Sequence, residues 1–340
     1  MATTLVIRLS SLGDVAMLIP VLYSIATKNP GDKFLLITKP LFTSIFVNKP
    51  TNLEVIPVYT EAQHKGICLW KLVRELNRKR IDNVADLHDV LRSKQIDLYF
   101  RLKGKKVAVI NKGRKEKKAL TCRNNKRFQP LKSSIGRYQE VFQQLGYNTS
   151  LDFRSLFTSV NRDFTPIEPF VETKEGSWIG IAPFAKHLGK TYPLEQMEEV
   201  IRLLTQKSDV RIFLFGGKGD KKQLGAWANK YEQVQSVAGC FSFSEELLLM
   251  SYMDVLLSMD SGNMHLASLV GVPVVSIWGA THPYAGFYGY NQDSANAIQS
   301  EMECRPCSIF GNKPCYRGDY ACMKKITPEM VVQRIIESLL

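Results

Sequence analysis

Two segments about 250 residues apart set glycine, hydroxyls and acids at places suited to handling an anion. The first is Arg8-Leu9-Ser10-Ser11-Leu12-Gly13-Asp14, which follows a β-branched run and precedes an apolar one. Gly13 permits close backbone approach, and the free amides of a helix start favour a negative ligand. Ser11-x-x-Asp14 also fits a capping box, so the carboxylate reads equally as a helix cap or as a general base. An unperturbed Asp has a pKa near ~3.9, and base catalysis near neutrality would profit from a raised value. The segment is neither a dinucleotide fingerprint nor a phosphate loop, lacking the three-glycine pattern and the Gly-Lys-Ser/Thr ending. The second segment, Ser258 to Ala267, places Ser261, Gly262 and Asn263 where a helix begins, and their amides suit a phosphate. Asp260 would repel that phosphate if it faced it; capping or a ribose hydroxyl suits it better. His265 either donates to the phosphate or packs. A third, basic loop, Lys186 to Pro193, offers Lys190 to a diphosphate leaving group or is plain surface. Finally, Cys304-x2-Cys307 with Cys315 and Cys322 could supply four thiolates to a structural zinc, although the last two are not a close pair.

These residues need elements to hold them. Strand patterns occur at 4–9, 33–37, 53–58, 83–87 and 106–110, alternating with helix patterns at 15–27, 66–79, 90–100 and 135–145. In the second of these helices, Ile67, Trp70 and Val73 with Leu72 and Leu76 recur at three to four residues. Pro166, Pro169 and Gly176 mark a linker over 160–177. Strands then recur at 178–182, 210–215, 234–237, 255–259 and 274–277, with helices starting near Pro193, Asp220, Ser244 and Asn263. Thr327-Pro328 opens a last helix to Leu340. Such alternation predicts an α/β protein of two doubly wound, parallel-sheet domains, with ligands beyond the strand C-termini, in the cleft between the domains. A length of 340 residues also suits two domains.

The chain is 45% hydrophobic and 23% charged, which excludes a disordered or fibrous protein. Its longest apolar stretch, Val15 to Ala26, is too short to span a bilayer, and Arg8 and Asp14 interrupt any signal-peptide core, so a cytoplasmic protein is expected. The net charge of +13 is concentrated between Arg101 and Lys132, where 13 Lys or Arg face one acid, Glu116. Such a block attracts nucleic acid, anionic headgroups or phosphorylated sugars, or is simply solvated. A nucleic-acid-binding protein is the rival of another class, but Phe128 is the sole aromatic in the block, too few for a base-stacking platform.

Taken together, Ser10–Asp14 and Asp260–Ala267, followed by Gly271-Val272-Pro273 and Trp278-Gly279-Ala280-Thr281, resemble glycosyltransferase family nine, the bacterial heptosyltransferases. The resemblance covers essentially the whole chain. It implies a GT-B fold of two facing Rossmann-like domains. Here these would be 1–165 for the acceptor and 166–326 for the nucleotide sugar, with helix 327–340 crossing back to the first. It further implies inverting transfer of heptose from ADP-heptose to a lipid A–Kdo type acceptor of the lipopolysaccharide inner core, without an essential metal. Asp14 matches the family's base. Arg8, Ser10, Ser11, Arg92, Arg114 and Arg137 are expected at the acceptor. Gly13, Lys190, Lys218, Asp260, Ser261, Gly262 and His265 are expected at the nucleotide sugar. The basic block would hold an anionic lipid headgroup, making the enzyme a monomer peripheral to the inner face of the cytoplasmic membrane, with no nucleic-acid partner. Two departures bear on the donor: Ala185-Lys186 precede the lysine where some members have hydroxyls, and Lys218 stands where they have an acid for the ribose. A GT-B sugar-nucleotide epimerase is the alternative enzyme.

Overall fold

The structure, a computed structural model, describes residues 1–59, 69–158 and 161–339. It divides into two compact units, Met1–Gly113 with Lys132–Arg154, and Arg114–Leu131 with Ser155–Leu340. The expected start of the second helix at Gly66 with Ile67, the first residue of the expected linker and the final Leu340 lie outside the described residues.

The first unit is built on β1 (Thr3–Ile7), β2 (Lys33–Thr38), β3 (Leu53–Pro57), β4 (Asn83–Asp86) and β5 (Lys106–Val109). They pair in parallel in the order β3-β2-β1-β4-β5. Its helices are α1 (Leu12–Lys28), α2 (Leu69–Arg78), α3 (Leu91–Leu102) and α5 (Ser134–Leu145). The unbroken apolar run of α1 is buried from Val15 to Ala26. Leu69, Leu72, Val73 and Leu76 of α2 share one buried face with Leu5, Ile7, Leu35 and Ile37 of the sheet. Strands covered on both faces read as continuous apolar runs, which is why β1 and β2 were legible without alternation.

The second unit repeats the plan with β6 (Ser177–Ala182), β7 (Val210–Leu214), β8 (Val234–Ser236), β9 (Val255–Met259), β10 (Val274–Trp278) and β11 (Ala297–Gln299). Their order is β11-β10-β9-β6-β7-β8, again parallel. Its helices are α4 (Arg114–Leu120), α6 (Leu194–Thr205), α7 (Lys221–Ala228), α8 (Phe243–Met250), α9 (Gly262–Leu269), α10 (Ala321–Lys324) and α11 (Pro328–Glu337). The capping box foreseen at Ser242 and Glu245 opens α8.

The compact units divide the chain differently from the expected domains in three respects. The boundary falls at Arg154/Ser155, and Arg114–Leu131 from the basic block belongs to the second unit. Aromatic neighbours explain that placement: Phe128 packs 5.0 Å from both His282 and Tyr284, Lys117 Nζ lies 4.6 Å over Phe287, and the Arg123 guanidinium lies 4.6 Å over Tyr316. Leu131 N–H donates to Tyr284 O at 2.9 Å, and Lys126 Nζ donates to the carbonyls of Glu303 and Arg305 at 2.8 Å. The last helix, expected to cross to the first domain, packs on α6, placing Val331, Val332 and Ile335 in the second unit's core beside Val200, Ile201 and Leu204. Ile335→Ala should therefore destabilise that core by about 3 kcal/mol, read by denaturant unfolding; unchanged stability would separate α11 from it.

Candidate active site

In an open parallel sheet, ligands collect where the strand order reverses, because there two neighbouring loops leave in opposite directions. In the first unit that point lies between β1 and β4, with Ile7 opposite Asp86. Arg8 leaves β1 there and is only 7% exposed. Its Nη1 donates to Leu87 O at 2.5 Å, and its Nη2 pairs with Asp14 Oδ2 at 2.5 Å. Oδ2 also accepts the Ser11 N–H at 3.1 Å and the Ser11 hydroxyl at 2.8 Å. Three donors thus converge on Oδ2, while among the described residues no hydrogen bond engages Oδ1. The Tyr138 hydroxyl donates to the Asp14 carbonyl at 3.1 Å and anchors the backbone.

The cap contacts use Oδ2 alone, so they leave the base reading of the same side chain open to test. Its acidity departs from the sequence expectation: burial pushes the Asp14 carboxyl up, but the Arg8 guanidinium and the Ser11 donors outweigh it and hold the group below the ordinary range. Beneath the site, Asp86 is fully buried and its Oδ1 accepts the N–H groups of His88 and Asp89. Burial and the charge of Asp86 push Asp97 on α3 up to about 8. Asp97 therefore keeps its proton near neutrality, which lets two carboxyls share one apolar site.

The other acceptor candidates are dispersed. Ser10 and Ser11 flank the pair, and Arg92 sits partly exposed in the first turn of α3. Arg137 is 4% exposed and donates to the carbonyls of Lys132 and Asn111, so it ties the chain ahead of α5 to the end of β5. Arg114 belongs to the second unit, exposed at the start of α4. Gly13 is the second residue of α1.

In the second unit the strand order reverses between β6 and β9, with Ala182 opposite Ser258. The loop after β6 carries Lys190, and the turn after β9 carries Asp260; their Nζ and Oδ2 lie 3.0 Å apart. Asp260 is 3% exposed. It does not cap α9; its carboxylate pairs with the Lys190 ammonium. The N-cap is Ser261, and the amides of Gly262 and Asn263 have no intrahelical acceptor. His265 lies buried one turn in. Two glycines hold the lysine loop in place. A Cβ on Gly189 would meet Ala280 Cβ at 2.9 Å, and one on Gly311, whose φ is +71°, would meet Lys190 Cδ at 2.6 Å. Lys218 is exposed in the turn before α7, where Asp220 Oδ2 accepts the Gly217 N–H at 2.8 Å.

Cys304, Cys307, Cys315 and Cys322 line one small cavity with Arg305 and Asp319. Among the described residues, however, no three His, Cys, Asp or Glu side chains group as a metal-holding set. Cys307 Sγ lies 3.8 Å from Ala280 O, Cys315 Sγ lies 3.9 Å from Asp319 Oδ1, and burial pushes Cys322 up to about 11. What ties this loop is Arg305, 5% exposed, which donates to the carbonyls of Trp278, Gly279, Thr281 and Ser300. A buried cation thus ties the loop on which four cysteines could have held a structural zinc. Sequence reading missed Arg305 because the flanking cysteines drew the attention. It missed His88, Asp86 and Asp97 because no spacing links them.

The acidity of Asp14 gives a test with a defined sign. Removing the cation in Arg8→Gln leaves burial, which favours the neutral acid, so the acid limb of the kcat/KM–pH profile should move toward neutrality. An acid limb at the wild-type position would show that Arg8 does not set the ionisation of Asp14.

Comparisons with known proteins identify the family and the fold. The family model for glycosyltransferase family 9 (heptosyltransferase) matches residues 69–314. Lipopolysaccharide heptosyltransferase 1 of Pseudomonas aeruginosa is 26% identical over 89% of this chain and 85% of its own. Among solved structures, a family 9 glycosyl transferase from Veillonella parvula superposes with a TM-score of 0.78 at 20% identity, over 99% of this chain and 97% of that one. An E. coli heptosyltransferase bound to ADP-2-deoxy-2-fluoro heptose superposes with a TM-score of 0.67 at 21% identity, over 98% and 99%. With two parallel α/β units and a family match over more than half its length, this chain belongs to glycosyltransferase family 9, the heptosyltransferases, and has the GT-B fold.

Proposed function

We propose that the protein transfers heptose, with inversion, from ADP-heptose to the inner core of lipopolysaccharide. The observation that carries this reading is the Asp14 carboxylate, oriented through Oδ2 by three donors and left with Oδ1 for a substrate proton. Oδ1 accepts the proton of the acceptor hydroxyl as that oxygen attacks the anomeric carbon from the side opposite the nucleotide. The bond from the anomeric carbon to the diphosphate oxygen breaks, and ADP departs with the bonding pair. We assign the negative charge that builds there to Lys190, paired with Asp260, and to the free amides at the start of α9. Supporting the donor is the E. coli relative, which was solved with an ADP-heptose analogue. An anionic, lipid-linked acceptor would draw the enzyme to the cytoplasmic face of the membrane, and the exposed cations Lys115, Lys118 and Arg127 suit such a surface. No helix among the described residues is long and apolar enough to cross a membrane.

Lys190→Ala should weaken ADP binding by about 10- to 100-fold, the loss of one charge-assisted contact, measured by calorimetry. Unchanged affinity would remove Lys190 from the donor site. Asp14→Asn keeps an oxygen for Ser11 and Arg8 but removes the counter-charge of a buried guanidinium, so a stability loss of about 3–5 kcal/mol is expected. Transfer should fall by about 10²–10⁴-fold while ADP affinity persists. A rate within threefold of wild type at saturating substrates would end the assignment of Asp14 as base.

A further inference from the structure

One group beside the Arg8–Asp14 pair has no part in that mechanism. After β4 the chain turns sharply through Leu87, His88 and Asp89, held by Asp86 Oδ1, which accepts the His88 N–H at 2.8 Å and the Asp89 N–H at 3.0 Å. The same turn is clamped to the end of β1. Leu87 N–H donates to Ile7 O at 3.1 Å, Arg8 Nη1 donates to Leu87 O at 2.5 Å, and Leu9 N–H donates to His88 Nδ1 at 2.9 Å. The last contact decides the chemistry of the ring. A backbone N–H can only donate, so Nδ1 must be the bare nitrogen and Nε2 must carry the hydrogen.

Burial, with the positive charges of Arg8 and Lys112, lowers His88 to about 4, so the ring stays neutral through the physiological range. The side chain is only partly buried, and among the described residues no hydrogen bond uses Nε2. A neutral imidazole fixed through Nδ1 keeps its Nε2–H as a donor for another group. It cannot take a proton at Nε2, so it is no second base. It differs equally from the cations of the unit, because it can hold a neutral hydroxyl without adding charge beside Asp14.

We propose that His88 Nε2–H donates a hydrogen bond to a hydroxyl oxygen of the acceptor saccharide and orients it for Asp14. The proposal rests on the reading of Asp14 as base. Labour at the β1–β4 switch is then divided: Asp14 Oδ1 accepts a proton and His88 donates a hydrogen bond. Asp86 positions the turn from beneath, and the proton retained by Asp97 keeps the two carboxyls from repelling each other.

Two replacements separate this role from a structural one. His88→Asn keeps an acceptor for the Leu9 N–H and loses the Nε2 donor. His88→Gln places an amide N–H near the Nε2 position. With ADP-heptose and Kdo-lipid A as substrates, His88→Asn should raise the acceptor KM at least 10-fold, with donor KM and melting temperature close to wild type. His88→Gln should recover to within about threefold of wild type. An unchanged acceptor KM in His88→Asn overturns the proposal, as does equal impairment in both variants. The ring nitrogens can be read directly and without any acceptor. At pH 7 their ¹⁵N shifts should report the neutral Nε2–H form, and an imidazolium or Nδ1–H form overturns the proposal whatever the acceptor. If Asp14→Asn retains its rate, the base reading fails on its own measurement; the ring tautomer and acceptor KM still decide His88.

Discussion

Both candidate sites depend on the register of one pair of parallel strands. Ile7 stands opposite Asp86 in the first unit, and Ala182 stands opposite Ser258 in the second. Neither pair is consecutive in the chain, so each is brought together across intervening strands and helices, and its alignment decides which residues meet beyond the strand ends. Arg8 N–H donates to Ile37 O, Leu87 N–H to Ile7 O and Ile110 N–H to Asp86 O. These bonds extend the ladder one step past the sheet and carry its register into the loops. A slip of one residue would part Arg8 from Leu87 O and Leu9 from His88 Nδ1 together. Because the strands are apolar on both faces, inside–outside alternation cannot set that register, and the loop hydrogen bonds must help to do so.

The two switch points share a device, a carboxylate paired with a long cation in which one partner is buried: Asp14 with Arg8, and Asp260 with Lys190. Such pairs add little net stability, since desolvation offsets the attraction, yet breaking one from one side typically costs about 3–5 kcal/mol. Their value lies in position. In the first unit the cation is the deeper partner, and the carboxylate keeps one oxygen for substrate. In the second the carboxylate is deeper, at 4% side-chain exposure against 16% for Lys190, so the ammonium is the end turned toward solvent. The same pairing, oriented oppositely, turns the carboxylate outward in one unit and the ammonium outward in the other, which suits the proposed roles of proton acceptor and anion binder.

How much of this was legible in the sequence follows from range. Strands such as β9 over Val255–Met259 are local apolar runs, and they emerged with their ends nearly correct. The motifs around Asp14 and Asp260 are local as well, each a strand end joined to a helix start. Missed were the partners supplied from far along the chain. Leu9 meets His88, Asp97 meets Asp86, and Arg305 meets Gly279, and nothing in the spacing announces these meetings. The basic block shows the converse error. Its charge was plain, but its place was set by Phe287, Tyr284 and Tyr316, more than 150 residues later.

The lowered acidity of Asp14 constrains how a transfer of this kind could proceed. A carboxylate held below its ordinary range by Arg8 is a weak base, and a sugar hydroxyl is a far weaker acid. Proton transfer ahead of bond formation would therefore be strongly uphill. The hydroxyl becomes acidic only as its oxygen begins to bond to the anomeric carbon, so the proton moves late. By then the bond to the diphosphate is already lengthening, and most of the developing charge lies on the leaving group. On the proposed assignment, catalytic demand shifts to the groups given to that charge, Lys190 and the amides opening α9, while Asp14 and His88 are given the direction of attack. A stronger base would relieve the demand on the second unit, but it would require removing the cation that holds Asp14 in place.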